Sequence, residues 1–281
     1  MQLRMRLKIY FSLTMVALIL STVFITITMA NDSTWNTIKK RGTFRVAAIS
    51  YEPFFLKDPK SGKWQGMVVD MCDEIAKTTD LKVEYVETTW GNAIAALQAN
   101  QLDAVFGLDA TPPRAKTVDF ILHPMLYLGI GVLSKDNLKI VNWEDLNNSQ
   151  AKVGVVMGSA YDRMATKLLP NATINRYPST NENIASFQSG RSDACVMTHM
   201  ALSVFRHQIG NGRIVLPDPK KFTATSIAVR KESAKEWRDF LTYCAMYYYD
   251  TGKTQEWYEK ALTRRGIDPK TSPSIMKELW K

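Results

Sequence analysis

Between Leu102 and Phe120 the chain reads LDAVFGLDATPPRAKTVDF, and one cation in it, Arg114, stands where it could hold an anion. Leu102 to Phe106 is a short apolar run that predicts a buried strand, and Gly107 ends it where polar residues begin. Thr111 suits a helix N-cap and Pro112 the first helical position, where a missing N–H costs nothing. Arg114 then falls in the first helical turn, beside backbone N–H groups that lack intrahelical partners. A guanidinium fork there can fix a carboxylate by two parallel hydrogen bonds. The plainer alternative is pairing with Asp119 on a solvated helix face.

A second candidate lies in VGVVMGSAYDRMA, where Gly158 and Ser159 fall between an expected strand and an expected helix. Glycine permits close backbone approach, and Ser159 can cap while free N–H groups face a ligand carboxylate. Many strand-to-helix turns look the same, so this stretch gains meaning only if the fold sets it opposite Arg114. Metal and redox chemistry find no pattern: there is no CxxC, and His123, His199 and His207 lack ligand company. Neither a metal nor a cofactor is expected. Cys72, Cys195 and Cys244 lie in apolar patterns that suit small core residues, and no disulfide is expected.

The elements that must position these residues follow from periodicity. Thr43 to Ile49 reads as a strand, followed by an aromatic turn, Tyr51-Glu52-Pro53-Phe54-Phe55. Met67, Val68, Met71, Cys72 and Ile75 share one helical face, with Asp70, Asp73, Glu74 and Lys77 pointing outward. Leu81 to Val86 alternates as a strand, and Asn92 to Gln98 is helical after Trp90. The order βαβαβ predicts a parallel sheet with helices on both faces. Residues 94–104, IAALQANQLDA, match residues 184–194, IASFQSGRSDA, at the first, second, fifth, tenth and eleventh places. Lys152 to Val156 and Thr173 to Tyr177 supply strands before the second copy, so two similar α/β lobes are expected to face each other across a cleft. Leu126 to Leu133 and Thr225 to Val229 are the two extended crossings about which the lobes would hinge. Helices over Ser233–Tyr249 and Thr254–Thr263 follow, with Tyr247-Tyr248-Tyr249 and Trp257 expected to pack on the first lobe. A polar tail closes the chain. The organisation expected is a leader over 1–30, a first lobe over 31–133 completed by 225–281, and a second lobe over 134–224.

Arg4, Arg6 and Lys8 precede an apolar run from Ile9 to Ile27, and Thr28-Met29-Ala30 offers small residues for cleavage. That is the layout of a secretory signal, with an uncleaved anchor as the alternative. Without those three basic residues the formal charge falls from +9 to +6. No run of five or six basic residues appears, which argues against a nucleic-acid partner.

Taken together, YEPF at 51–54, WQGMVVDMCDEIAK at 64–77, WGNAIAALQANQLDAVFG at 90–107, ATPPRAKTVDF at 110–120, KVGVVMGSAYD at 152–162 and GRSDA at 190–194 resemble the periplasmic solute-binding proteins of polar amino acid ABC importers, bacterial extracellular family 3. The resemblance implies an α/β, two-lobed type II periplasmic binding fold, each lobe a mostly parallel sheet flanked by helices, with two hinge crossings. It implies a monomeric periplasmic receptor that closes on a small polar ligand and presents it to an inner-membrane permease. By position Arg114 and Thr111 match the ligand-carboxylate residues, Ser159 the opposing hydroxyl and N–H, and Tyr51 and Trp90 the side chains that sandwich the ligand.

Several positions depart from the family pattern. Met67 and Val68 stand where the family usually has an aromatic and an acid. Thr198, followed by His199, stands where the family commonly carries the aspartate that pairs with the ligand's ammonium group. Asp109 stands where serine or threonine is usual, and a carboxylate buried there costs several kcal/mol unless a cation satisfies it. Asp109 is therefore expected to take over the ammonium contact; the alternatives are a ligand cation held elsewhere, or a carboxylate satisfied by loop N–H groups or a lysine. Tyr51, Phe54 and Trp90 around it also suit a quaternary ammonium by cation–π contact.

The reading is a binding protein without chemistry of its own, for an amino acid or a related zwitterion or carboxylate. A prephenate or arogenate dehydratase on the same fold is the enzymatic alternative, with Asp109 or His199 as general acid. An accessory or sensory module that no longer serves transport is a third.

Overall fold

The computed structural model describes residues 33–280, so the leader expected over 1–30 lies outside the described residues. Ser33 caps the first helix, α1 (Thr34–Arg41), and Gly42 closes it at φ +68°. There follow β1 (Thr43–Ala48), the short hairpin β2 (Leu56–Lys57) and β3 (Trp64–Gln65), α2 (Met67–Thr79), β4 (Lys82–Glu87), α3 (Trp90–Gln98), β5 (Val105–Asp109), α4 (Pro112–Ala115), β6 (Val118–Phe120) and the long β7 (Leu126–Ser134). The second lobe holds β8 (Lys152–Val156), α5 (Ala160–Leu168), β9 (Thr173–Tyr177), α6 (Thr180–Gln188), β10 (Ala194–Thr198), α7 (His199–Ile209) and β11 (Arg213–Val215). The chain returns through β12 (Phe222–Arg230) into α8 (Glu236–Asp250) and α9 (Lys253–Arg264).

The molecule is α/β and two-lobed. In the first lobe β1 runs parallel to β4, and a parallel bridge from Val46 to Ala104 leads into β5, which pairs antiparallel with β12. In the second lobe β8 lies parallel between β9 and β10, and β10 pairs antiparallel with β7. The internal repeat thus has a physical basis. Asp103 accepts the Arg45 N–H of β1 at 2.7 Å, and its counterpart Asp193 accepts the Lys152 N–H of β8 at 3.2 Å. Each aspartate fixes the turn after a helix to the first strand of its lobe.

Strand β7 changes partner along its length. Leu126–Gly129 pair with Thr225–Phe222 of β12, and Ile130–Ser134 pair with β10. The two crossings therefore lie side by side, hydrogen-bonded to each other. This pairing also explains why β12 begins at Phe222, ahead of the apolar run at Thr225.

Several local expectations change. Gly107 does not end its strand: β5 starts later and runs on to Asp109, with the pairing to β12 shifting between Ser226 and Ile227 so that Gly107 forms a bulge at φ +82°. Asp70 does not face solvent, because Lys260 and Arg264 of α9 close over it at 3.0 and 2.7 Å. Asp119 pairs with Lys235 and leaves Arg114 free of it. Tyr248, Tyr249 and Trp257 are buried in the first-lobe core, but Tyr247 is 64% exposed. The three cysteines are buried free thiols. Among the described residues no helix is long and apolar enough to cross a membrane.

Candidate ligand cleft

The loops that follow β1, β4 and β5 face those that follow β8 and β9 across a cleft of about 280 Å³. The carboxyl ends of parallel strands are where open α/β sheets place ligands, because the chain leaves the sheet there and frees its backbone groups. A volume at the lower edge of the range for ligand pockets suits one small molecule.

Three rings build the first-lobe wall. Tyr51 stands 5.7 Å from Phe54 at 79° and 6.2 Å from Trp90 at 78°, so both neighbours meet it nearly at right angles. Gly107 makes this packing possible. A Cβ there would lie 2.7 Å from the Phe54 ring and 3.5 Å from Trp90, and φ +82° disfavours any other residue. The bulge in β5 thus brings bare backbone against the floor of the aromatic wall.

Charge in the cleft comes from β5 and α4. Arg114 donates through Nη1 to the backbone carbonyl of Asp109 at 3.0 Å, which ties the loop to the short helix. The Asp109 carboxylate has no ion pair within 4.0 Å among the described residues, and its side-chain hydrogen bond is a long one, 3.4 Å from the Thr225 hydroxyl. Burial holds the Asp109 carboxyl above its ordinary value, against the opposing pull of Arg114 and Thr225. Tyr51 and Tyr161 are both pushed up by burial, and the Asp109 charge adds to the shift of each. These three groups therefore share one space.

Of the residues expected from sequence, Tyr51, Trp90, Asp109, Arg114 and Ser159 line the cleft together. Thr198 reaches it indirectly, with its hydroxyl 3.4 Å from that of Tyr51 across the two lobes, while also accepting the Ala201 N–H at the start of α7. Thr111 is not among the lining residues. It has the extended backbone of an N-cap, φ −104° and ψ 148°, but its side chain makes no capping bond, and α4 is one turn long. Few aligned peptide dipoles stand behind Arg114, so its own charge, rather than a helix terminus, is the anion-binding feature. Ser159 caps α5 as expected and keeps its own hydroxyl proton to donate, but the Gly158 and Ser159 N–H groups, expected to be free, are committed within the turn. The Ser159 hydroxyl accepts the Asp162 N–H at 3.1 Å, and the Gly158 N–H donates to the Asp162 carboxylate at 2.9 Å.

The sequence reading missed Leu128, Tyr161, Thr180 and Met197, which also line the cleft. For Thr180 a signal existed. Carrying the repeat four residues toward the amino end sets Thr180 on Trp90, and both are the first helical residues of their lobes' corresponding helices, α6 and α3. Among the described residues, no group of three or more His, Cys, Asp or Glu side chains could hold a metal.

Comparison with known proteins places these features in a family context. The profile of "Bacterial extracellular solute-binding proteins, family 3" matches residues 45–264. The L-cystine-binding protein TcyA of Bacillus subtilis is 26% identical over 181 residues, which cover 64% of this chain and 66% of that protein. The solved structure of an ancestral cationic amino acid solute-binding protein, AncCDT-1, is 33% identical with a TM-score of 0.72, covering 81% of this chain and 99% of that one. An ancestral cyclohexadienyl dehydratase, AncCDT-3, is 27% identical with a TM-score of 0.58, covering 83% of this chain and 97% of that one.

Proposed function

The chain belongs to the bacterial extracellular solute-binding proteins of family 3, and from that premise we propose that it is a periplasmic receptor for a small zwitterion such as an amino acid. The leader over 1–30 would carry it out of the cytoplasm, and the closed form would hand the ligand to an ABC permease. The observation that carries the reading is the pairing of one guanidinium, Arg114, with one unpaired carboxylate, Asp109, in a single small cleft walled by both lobes. Arg114 takes the ligand's carboxylate, Asp109 its ammonium group, and Tyr51 and Trp90 enclose the body between them. Ser159 and Thr198 close from the second lobe, and Thr111 holds the turn ahead of Arg114. The two lobes move as units divided near 133 and 224, hinging on β7 and β12, and the monomer is the working form. Ligand contacts made from both sides stabilise the closed state. Thermal denaturation against a panel of amino acids and betaines tests this: a receptor gains melting temperature with its ligand, because only the folded state binds. No gain from any member would count against it.

One observation favours an enzymatic alternative. Asp109 is the one carboxyl among the described lining residues, and burial favours its protonated form, as a general acid requires. A dehydratase would consume prephenate or arogenate, so loss of either in the presence of the purified chain would put the enzyme ahead. Unchanged prephenate and arogenate would leave the receptor.

A further inference from the structure

Charge in the cleft is divided unevenly between the lobes. Both charged side chains that line it, Arg114 and Asp109, come from the first lobe; Ser159, Tyr161, Thr180 and Met197 of the second are uncharged. The second-lobe ions nearest in sequence are turned to the backbone or to each other: the Asp162 carboxylate accepts from Arg176 and from the Gly158 N–H, each at 2.9 Å, and Arg163 donates to the Gly158 carbonyl at 2.9 Å. From this division we infer a limit on the ligand, resting on the receptor reading above: it carries one positive and one negative group, and the remainder, which faces the second lobe, is uncharged, with Tyr161 as the residue that sets the limit.

Tyr161 is the second residue of α5, and its ring enters the cleft from the second lobe. It lines the same cleft as Tyr51 and Asp109, which stand on the opposite wall. Its hydroxyl makes no hydrogen bond to any described residue, so it can give one and accept one from a neutral ligand group. A third ligand charge would be stripped of water against this wall with no counter-ion, and ring faces offset only a fraction of that cost. Arginine, lysine and glutamate each bring such a third charge; leucine, glutamine and glycine betaine do not.

Calorimetric titration of the purified chain with those six compounds tests the limit. At least one of the three neutral-bodied zwitterions is expected to bind about tenfold or more tighter than arginine, lysine and glutamate. Tyr161→Glu, which supplies a second-lobe anion, is expected to raise lysine or arginine affinity about tenfold and to lower that of the best neutral compound. Tighter or equal binding of arginine, lysine or glutamate by the unaltered chain would overturn the inference and leave the receptor intact. An unchanged order of affinities in a folded Tyr161→Glu variant would remove Tyr161 from the role. If none of the six binds, the inference falls, and the receptor reading stands or falls separately with the wider thermal panel.

Discussion

Arg114 directs Nη1 at the backbone carbonyl of Asp109, and the carboxylate of Asp109 is left to the cleft. Two predictions separate these roles. Arg114→Ala removes a charge that faces the ligand and supports only one loop carbonyl. Ligand affinity is expected to fall by about 2–5 kcal/mol. The unliganded melting temperature should change little, by the equivalent of about 1 kcal/mol. A loss of fold stability without a loss of affinity would make Arg114 a loop brace. For Asp109 the sign follows from its raised folded-state value. As pH rises the unfolded chain loses this proton first, so the folded state loses stability through that window, and at neutral pH the ionised carboxylate opposes folding. Asp109→Asn is therefore expected to melt higher than the unaltered chain at pH 7, and to match it below the ordinary carboxylate range. Equal melting at pH 7 would mean that the carboxylate is already satisfied. Arg114 was legible because Thr111 and Pro112 mark a helix start three residues ahead of it. Tyr161 was not, since a single aromatic early in a helix carries no local sign of the wall it will face.

At the scale of elements, the repeated aspartates show why the same helix-turn-strand unit serves both lobes, and why the copies differ in strength. Asp103 is 1% exposed, takes the Arg45 N–H, and is paired with Arg41 and Arg45. Asp193 makes the same backbone bond but is 26% exposed and paired with Lys135 alone. Removing the carboxylate takes the counter-ion from two partly buried guanidinium groups in the first case and from a solvated lysine in the second. Asp103→Ala is expected to cost about 3–5 kcal/mol in urea unfolding, and Asp193→Ala under about 2 kcal/mol, mostly through the lost backbone bond. Similar costs would mean that the backbone bond, rather than the ion pairs, is what the aspartate contributes. In the first lobe β1, α2, β4 and α3, and in the second β8, β9 and α6, followed from periodicity and the repeat, and the shared Asp-Ala marked the equivalent turns, whereas α1, α7 and β11 were not foreseen. The bulge at Gly107 was not legible, because a glycine inside an apolar run looks the same whether it ends a strand or bends one, and only the pairing with β12 decides.

Across the whole molecule, the lobes meet behind the hinge as well as through it. Met200 and Val204 of α7, a second-lobe helix, are buried within the same core cluster as Trp257 and Tyr258 of α9. The tail joins them there: the Trp280 ring stands 5.8 Å from His199, and the Lys277 ammonium lies 3.8 Å over the Tyr127 ring of β7. The polar composition of that tail gave no hint of this, because its anchoring rings are spread over chain segments that only the fold unites. His199 is fully buried at this junction, with Nδ1 at 3.1 Å from the Gly129 carbonyl, Nε2 unpartnered, and Tyr258 and Trp280 as its ring neighbours. Burial pushes the imidazole down to about 4, outweighing the upward pull of the carbonyl. The unfolded chain takes up this proton near pH 6.5, whereas the folded chain refuses it until about 4, so stability is lost as pH falls between the two. At the lower end the loss from this one residue approaches roughly 3 kcal/mol. Urea midpoints followed from pH 7 to 4.5 are expected to fall for the unaltered chain and to fall less for His199→Gln, which cannot take up the proton. Parallel curves would mean that the junction opens enough to hydrate the ring, and that the contact behind the hinge is looser than its burial implies. A steeper fall of the unaltered chain on acidification would tie the stability of the whole molecule to a buried base at the junction of its two halves.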